Sequence, residues 1–249
     1  VTKSTTSQMG AMERAAREMG ATTRYTAAQA AEGLLILSRA GLSAQQAIQT
    51  LPAVLSMALV GMTSLKIAAD VVVNTMYQFD LAVEDAVRIT DAFVNITNKT
   101  NTDIIQLAEG MKYAGSIAGL LGIELEETSA ALGILANRGI KSSLAGTKLR
   151  GVLLALVNPT KKGRDAIKQM GLSVESVNPE IVGMTKAFEN LRDANMQVTD
   201  AHKIFNRLNA AAAATLVNSS DQVAILTKYL QENADAAREA GEIIDDTLL

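Results

Sequence analysis

The sequence contains no cysteine and no tryptophan, one histidine, three prolines and four each of tyrosine and phenylalanine in 249 residues. Without cysteine there is no disulfide, no thiolate metal site and no thiol nucleophile, and the redox compartment is left open. One histidine cannot assemble a multi-histidine metal site. A Ser–His–acid arrangement would have to use His202, with no Gly-x-Ser-x-Gly elbow to display the serine. In Asp200-Ala201-His202-Lys203 the histidine reads as a helix-surface residue. Aromatics at 3% are too few for an ordinary sheet, because strands favour β-branched and aromatic side chains.

Charge is equally unpolarised: the net value is −3 and neither sign forms a long run. The nearest thing to a basic footprint, Lys161-Lys162-Gly163-Arg164, reads as a solvated face, so no specific nucleic-acid partner is expected. The chain opens on Val1, with no charged segment leading into an apolar one, so no signal peptide is visible. A non-methionine start fits a piece of a longer protein.

What is present is apolar and small. Hydrophobic residues reach 48% and charged residues 20%, a globular balance dominated by Ala, Leu, Met and Ile. The expectation is an all-α, compact multi-helix bundle. Helix starts are marked by the capping-box patterns Thr26-Ala27-Ala28-Gln29 and Ser43-Ala44-Gln45-Gln46, and by Thr102-Asp103 and Ser219-Ser220-Asp221. Stops are marked by Gly20, Gly41, Gly122, Gly139 and Gly171, and by Asn158-Pro159 and Asn178-Pro179. These signals predict helices near 3–19, 26–40, 43–60, 63–80, 83–98, 102–120, 124–138, 144–157, 160–170, 180–194, 199–217 and 220–243. In 124–138, Leu125, Thr128, Ala131, Leu132 and Leu135 share a face, while Glu124, Glu126 and Glu127 read as a solvated first turn at the positive end of the helix dipole.

A repeat runs through this pattern. Gly41-Leu42-Ser43 followed by Ala47, Leu51 and Leu55 matches Gly122-Ile123-Glu124 followed by Thr128, Leu132 and Leu135 or Ala136. Upstream, Ala31-Glu32-Gly33-Leu34 echoes Ala108-Glu109-Gly110-Met111. Two copies argue for an internally duplicated helical hairpin and not a solenoid. The change of character after Pro159 suggests two lobes, 1–158 carrying the duplication and 159–249 forming a C-terminal helical lobe, with one continuous domain as the alternative.

Two features invite a sharper reading. Between Arg39 and Lys66 lie 26 uncharged residues, and a spanning helix needs about 20 mostly apolar ones. Gln45, Gln46, Gln49, Thr50, Pro52 and Ser56 interrupt the stretch, so a buried helix explains it better than a membrane span. The run Gly133 to Ser142 superficially resembles a phosphate loop, but five residues separate Gly133 from Gly139, and Ile140 precedes Lys141. Gly139 and Gly146 suit a tight helix–turn–helix corner instead. No catalytic, cofactor or metal site is expected.

The run Gly139-Ile140-Lys141-Ser142-Ser143-Leu144-Ala145-Gly146-Thr147-Lys148-Leu149-Arg150-Gly151, continued by Leu153 to Leu156 and Asn158-Pro159-Thr160, resembles the characteristic motif of phage tail tape measure proteins. Flanking segments agree in order: Asp80 to Asp91, Asn101 to Gly115, Leu121 to Leu132, Met170 to Ser173, Ile204-Phe205-Asn206 and the alanines at 210–214. The resemblance spans about residues 15 to 245. With Gly41 and Gly122 from the repeated hairpin, Gly139, Gly146, Thr147, Arg150 and Pro159 from this run make up the expected structural motif residues. The family often has glycine where Ser142 stands, and Pro-Ser where this chain has Pro159-Thr160.

The resemblance implies a structural, non-enzymatic phage-tail protein that fills the lumen of a growing tail, supports its assembly and length determination, and leaves during DNA ejection. The alternative it carries is a membrane-active, channel-forming module aiding genome passage across the host inner membrane. Implied partners are further copies of the chain, the tail tube, the distal tail or baseplate, assembly chaperones and, transiently, the host membrane. The implied locations are the virion and, during assembly, the host cytoplasm. With 17 Gly and three Pro breaking it, this segment is expected to be a folded body and not a continuous measuring rod.

Overall fold

The capping boxes form as their spacing requires. Thr26 Oγ1 accepts from Gln29 N while Gln29 Oε1 accepts from Thr26 N, and Ser43 and Gln46 repeat the arrangement. Asp103 caps the helix that begins at Ile104 by accepting from Gln106 N. The computed structural model describes residues 6–247 and contains fourteen α-helices, with no strand among the described residues. In chain order these are α1 Thr6–Thr22, α2 Ala27–Arg39, α3 Ala44–Val60, α4 Leu65–Phe79 and α5 Ala86–Lys99, the last entered through a 3-10 turn at Val83–Asp85. Then come α6 Ile104–Leu120, α7 Leu125–Asn137, α8 Ser142–Val157 and α9 Lys161–Gln169. After a 3-10 turn at Glu175–Val177 the chain forms α10 Pro179–Val182, α11 Met184–Asp193, α12 Val198–Asn218, α13 Ser220–Glu232 and α14 Ala236–Thr247.

Four of the five predicted glycine stops share one device. Gly41, Gly122, Gly139 and Gly171 all have positive φ. The amide that follows each bonds back to the carbonyl five residues earlier: Leu42 to Leu37, Ile123 to Ala118, Ile140 to Leu135 and Leu172 to Ile167. This is the Schellman closure, in which a left-handed residue turns the last helical carbonyls onto two amides and an apolar residue follows. Gly20 does not behave so. It lies inside α1, and a Cβ there would sit 2.6 Å from Ala27 N, so its smallness serves the close approach of α1 to the start of α2.

Elsewhere the predicted segments are subdivided. The segment 180–194 breaks at Gly183, at φ 83 and ψ 158, and 220–243 breaks at 233–235, where Asp235 has φ 65. The helix predicted at 199–217 is kinked at Asn206, at φ 62 and ψ 173. Residues 3–5 of the first predicted helix lie outside the described residues.

The chain divides into two compact units, one formed by residues up to Asn95 and from Asn233 onward, the other by Ile96–Glu232. This partition differs from the expected lobes 1–158 and 159–249. The reason is that α12 packs on both α8 and α9 and so ties the two sides of Pro159 together. The two hairpin copies fall one in each unit, α2–α3 in the first and α6–α7 in the second.

In the first unit α1, α2 and α3 pack together, α4 lies against α2 and α3, and α14 returns to cover α3. Leu34, Leu37, Leu51, Val54 and Met57 are buried here. The long uncharged stretch contributes α3, broken off by the turns at Gly41 and at Gly61–Ser64. Among the described residues no helix is long and apolar enough to cross a membrane.

In the second unit α7 is central, and α6, α8, α12 and α13 all pack on it. Its buried set runs almost unbroken from Leu125 to Ala136, as expected of a helix enclosed on all sides. Glu124 is exposed as expected, but the reading of Glu126 and Glu127 as solvated is corrected. Glu126 is 2% exposed, Glu127 Oε1 accepts from the amide and hydroxyl of Thr185, and Glu124 Oε2 accepts from Gln231 Nε2 at 2.7 Å. These carboxylates tie α7 to the start of α11 and to α13, a role invisible without knowing which helices come to rest there.

Candidate functional site

The segment 139–159 becomes the end of α7, a short turn and all of α8. Gly139 has φ 82, and nothing lies within 4 Å of the point a Cβ would occupy, so backbone conformation and not space selects glycine there. Lys141 occupies the N-cap position of α8 and its Nζ donates to Asn101 Oδ1 at 2.9 Å. Ser142 then adopts φ 56, in the left-handed region that favours glycine. The position where the resembled family often has glycine is therefore one whose backbone calls for it.

One turn further on, α8 meets α6 at backbone distance. A Cβ on Gly146 would collide with the carbonyl of Gly110, and a Cβ on Gly110 would sit 3.3 Å from the carbonyl oxygen of Ser142 and from Leu132. Two glycines facing each other let the helix backbones touch, and any side chain at 146 would push them apart. On the other flank, a Cβ on Gly151 would collide with the side-chain amide of Asn209 on α12. Helix α8 is thus pressed between α6 and α12 through two glycines.

The contact with α12 is fixed at the latter's kink. Asn206 Oδ1 accepts from the amides of Leu208, at 2.9 Å, and Asn209, at 3.2 Å, restarting the helix after its non-helical residue as an N-cap does. Lys148 Nζ donates to the Leu208 carbonyl at 2.6 Å. At the far end Pro159 is buried and its carbonyl accepts from Arg164 Nη1, while Thr160 caps α9 through Gly163 N at 3.2 Å. Between α8, α9 and α12 lies a surface groove of about 640 Å³, which His202 helps to line from the exposed side of α12.

Of the predicted motif residues, Gly139, Gly146 and Pro159 are built into this corner, while Thr147 and Arg150 are exposed on α8. Gly122 turns α6 into α7 in the same unit, and Gly41 makes the corresponding turn in the other. Sequence reasoning missed Asn209 and gave no separate role to Gly110, Gly151 or Asn206, the last two appearing only inside the resembled segments. Gly110 was legible only as part of the repeat echo. There the structure adds a parallel, since a Cβ on Gly33 would meet Leu51 at 2.8 Å just as one on Gly110 would meet Leu132. Among the described residues no three His, Asp or Glu side chains converge as a metal site. This is a packing site, whose chemistry is close approach and capping.

Similarity to known proteins follows the same residues. The family described as phage-related minor tail protein matches residues 13–217, which contain the hairpins, the 139–159 corner and the kink of α12. The chain is 28% identical to the tape measure protein of Pneumococcus phage Dp-1 over 98% of its own length and 22% of that protein's. It is likewise 28% identical to the probable tape measure protein of Escherichia phage P2, over 97% of its own length and 31% of the relative's. The chain therefore spans less than a third of these curated relatives. No solved structure matches it. With a match running from α1 to the end of α12, the chain belongs to the phage-related minor tail protein family.

Proposed function

We propose that this chain is a folded structural segment of a tail tape measure protein: it occupies the tail lumen, supports tail assembly and length determination, and is released when DNA is ejected. The observation that carries the reading is the family match over residues 13–217, supported by relatives bearing the tape measure name across nearly the whole chain. The architecture agrees with a structural role. The two glycines at which a Cβ would collide most severely, Gly146 and Gly151, serve helix contact, not a reaction centre. In this reading the chain is not an enzyme, and its partners are other copies of itself and further tail components, among them the tube, the distal tail and assembly chaperones.

The test is direct. Mass spectrometry of purified tails is expected to recover peptides from residues 6–247, and removal of the segment from its parent protein is expected to abolish tails of normal length. Intact tails devoid of those peptides would sink the reading. The membrane-active alternative predicts dye release from vesicles by the isolated chain. It draws nothing from the described helices, none of which is long and apolar enough to span a bilayer.

A further inference from the structure

The groove between α8, α9 and α12 has a lining of unusual chemistry. Lys162, His202 and Lys203 contribute to it with Asn158, Thr160 and Asn206, and no carboxylate, phenyl or phenol ring is present in the lining. Lys203 has one acidic neighbour, Asp200 at 3.5 Å. Lys162 has no ion-pair partner among the described residues and is exposed. The stretch of sequence that supplies α8 and α9 shares the imbalance. Between Glu127 and Glu175 the sequence holds eight basic residues against the single acid Asp165, although the whole chain is net −3. Arg150, Lys161, Arg164 and Lys168 from this stretch are all exposed. The sequence displays Lys161-Lys162-Gly163-Arg164 alone as a cluster; folding adds His202 and Lys203 from some forty residues away.

We propose that this groove binds the phosphates of a nucleic-acid backbone without reading base sequence. Lysine ammonium groups with Thr and Asn side chains are the set that contacts phosphate and sugar oxygens in sequence-independent binding. The Asn206 amide keeps its NH₂ as a donor, because its oxygen already accepts from Leu208 and Asn209. The lining carries no Phe, Tyr or Trp, and the single imidazole of His202 is a smaller platform than the row of aromatic rings on which single-strand binders stack bases. No arginine fork lines the groove, so it lacks the planar bidentate geometry that suits a carboxylate of an acidic protein.

The experiment uses the whole chain and a fluorescein-labelled duplex of roughly 30 base pairs, titrated by anisotropy from about 50 to 200 mM salt. Binding is expected to weaken steeply with salt. The double variant Lys162→Gln with Lys203→Gln is expected to bind about tenfold more weakly, with a log–log salt slope shallower by about two, one for each phosphate no longer neutralised. The control Lys66→Gln with Lys228→Gln, whose lysines pair with Asp70 and Glu232 and do not line the groove, is expected to match the parent. Circular dichroism verifies that both variants are folded. An absence of duplex binding at low salt, or a double variant indistinguishable from the control, overturns the proposal. So does polyglutamate binding that depends on Lys162 and Lys203 when duplex binding does not, which would assign the groove to an acidic protein. The tail-structural reading rests on the family match, so it survives any of these failures.

Discussion

At the scale of single residues, identical chemistry serves opposite purposes. Gly122 and Gly146 are both glycines on the α6–α7–α8 path, yet Gly122 is required by its φ of 69, with nothing near a Cβ, and Gly146 by contact with Gly110. Asparagine tolerates left-handed backbone, so Gly122→Asn is expected to recover most of what Gly122→Ala loses, about 1 kcal/mol. No side chain relieves a collision. Gly146→Ala and Gly146→Asn are therefore both expected to cost about 1–3 kcal/mol or more as α6 and α8 separate. Urea denaturation of the four variants checks the contrast; rescue by asparagine at 146 would refute the packing account. Ser142 offers the converse test. It holds φ 56 with a Cβ, and Ser142→Gly is expected to stabilise by about 0.5–1 kcal/mol, read as a higher denaturation midpoint. None of this required a neighbour to be known at Gly122 or Gly139, where a stop signal lies in the local pattern. Gly146 was legible as a tight corner, but its partner Gly110 was not, because the contact joins residues more than thirty positions apart.

Among elements, the attachment of α14 to the first unit depends on a helix far away in sequence. Asp91 on α5 is 2% exposed and accepts from the amides of Asp235, at 2.7 Å, and Ala237, at 2.8 Å. Asn95 Nδ2 holds the Asn233 carbonyl at 2.8 Å. Asp91 thus supplies the N-terminal acceptor for α14 from outside the helix. Burial pushes its carboxyl above the usual carboxylate range, against the pull of the two amides; the Asp235 carboxylate adds to the rise and Arg238 opposes it. Between the ordinary and the raised value the folded chain holds a proton that the unfolded chain has released. Stability from this group therefore increases as pH falls through that window and is lost as pH rises through it. Asp91→Asn is expected to flatten that part of a plot of thermal midpoint against pH, while Asp91→Ala, leaving two amides without acceptors, is expected to cost about 1–3 kcal/mol at neutral pH. An unchanged pH profile in Asp91→Asn would exclude this carboxyl as the titrating group. The apolar pattern over 220–243 concealed this break: Asn233 and Asp235 favour helix starts, but the acceptor for the first amides of α14 is Asp91, far away in sequence.

For the molecule as a whole, the partition into units follows from where helices return and not from where composition changes. Pro159 looked like a boundary, but α8, α9 and α12 pack across it, so the second unit closes only at Glu232. Because that unit is continuous in sequence, a fragment of residues 96–232 is expected to fold alone with a single cooperative transition. A chain ending at Glu232 is expected to keep amide protection in α6–α13 and lose it in α3, which α14 covers. Hydrogen exchange resolves the two, and a non-cooperative fragment would contradict the partition. The hairpins themselves were legible, since capping boxes and glycine closures are local devices. Their separation into different units was not, because it depends on α14 coming back to α3.

That return gives the chain a mechanical order. Residues 6 and 247 both belong to the first unit, and the second is inserted between Asn95, within α5, and Asn233, just before α14. Tension applied at those two points is carried by the first unit alone for as long as it holds, and the insertion bears no load. Only when the packing that joins the two ends of that unit gives way, α14 on α3 and on Asp91 included, does the pull reach Ile96 and Glu232. Under stretching the molecule would lengthen in two steps, the outer unit yielding before the inner.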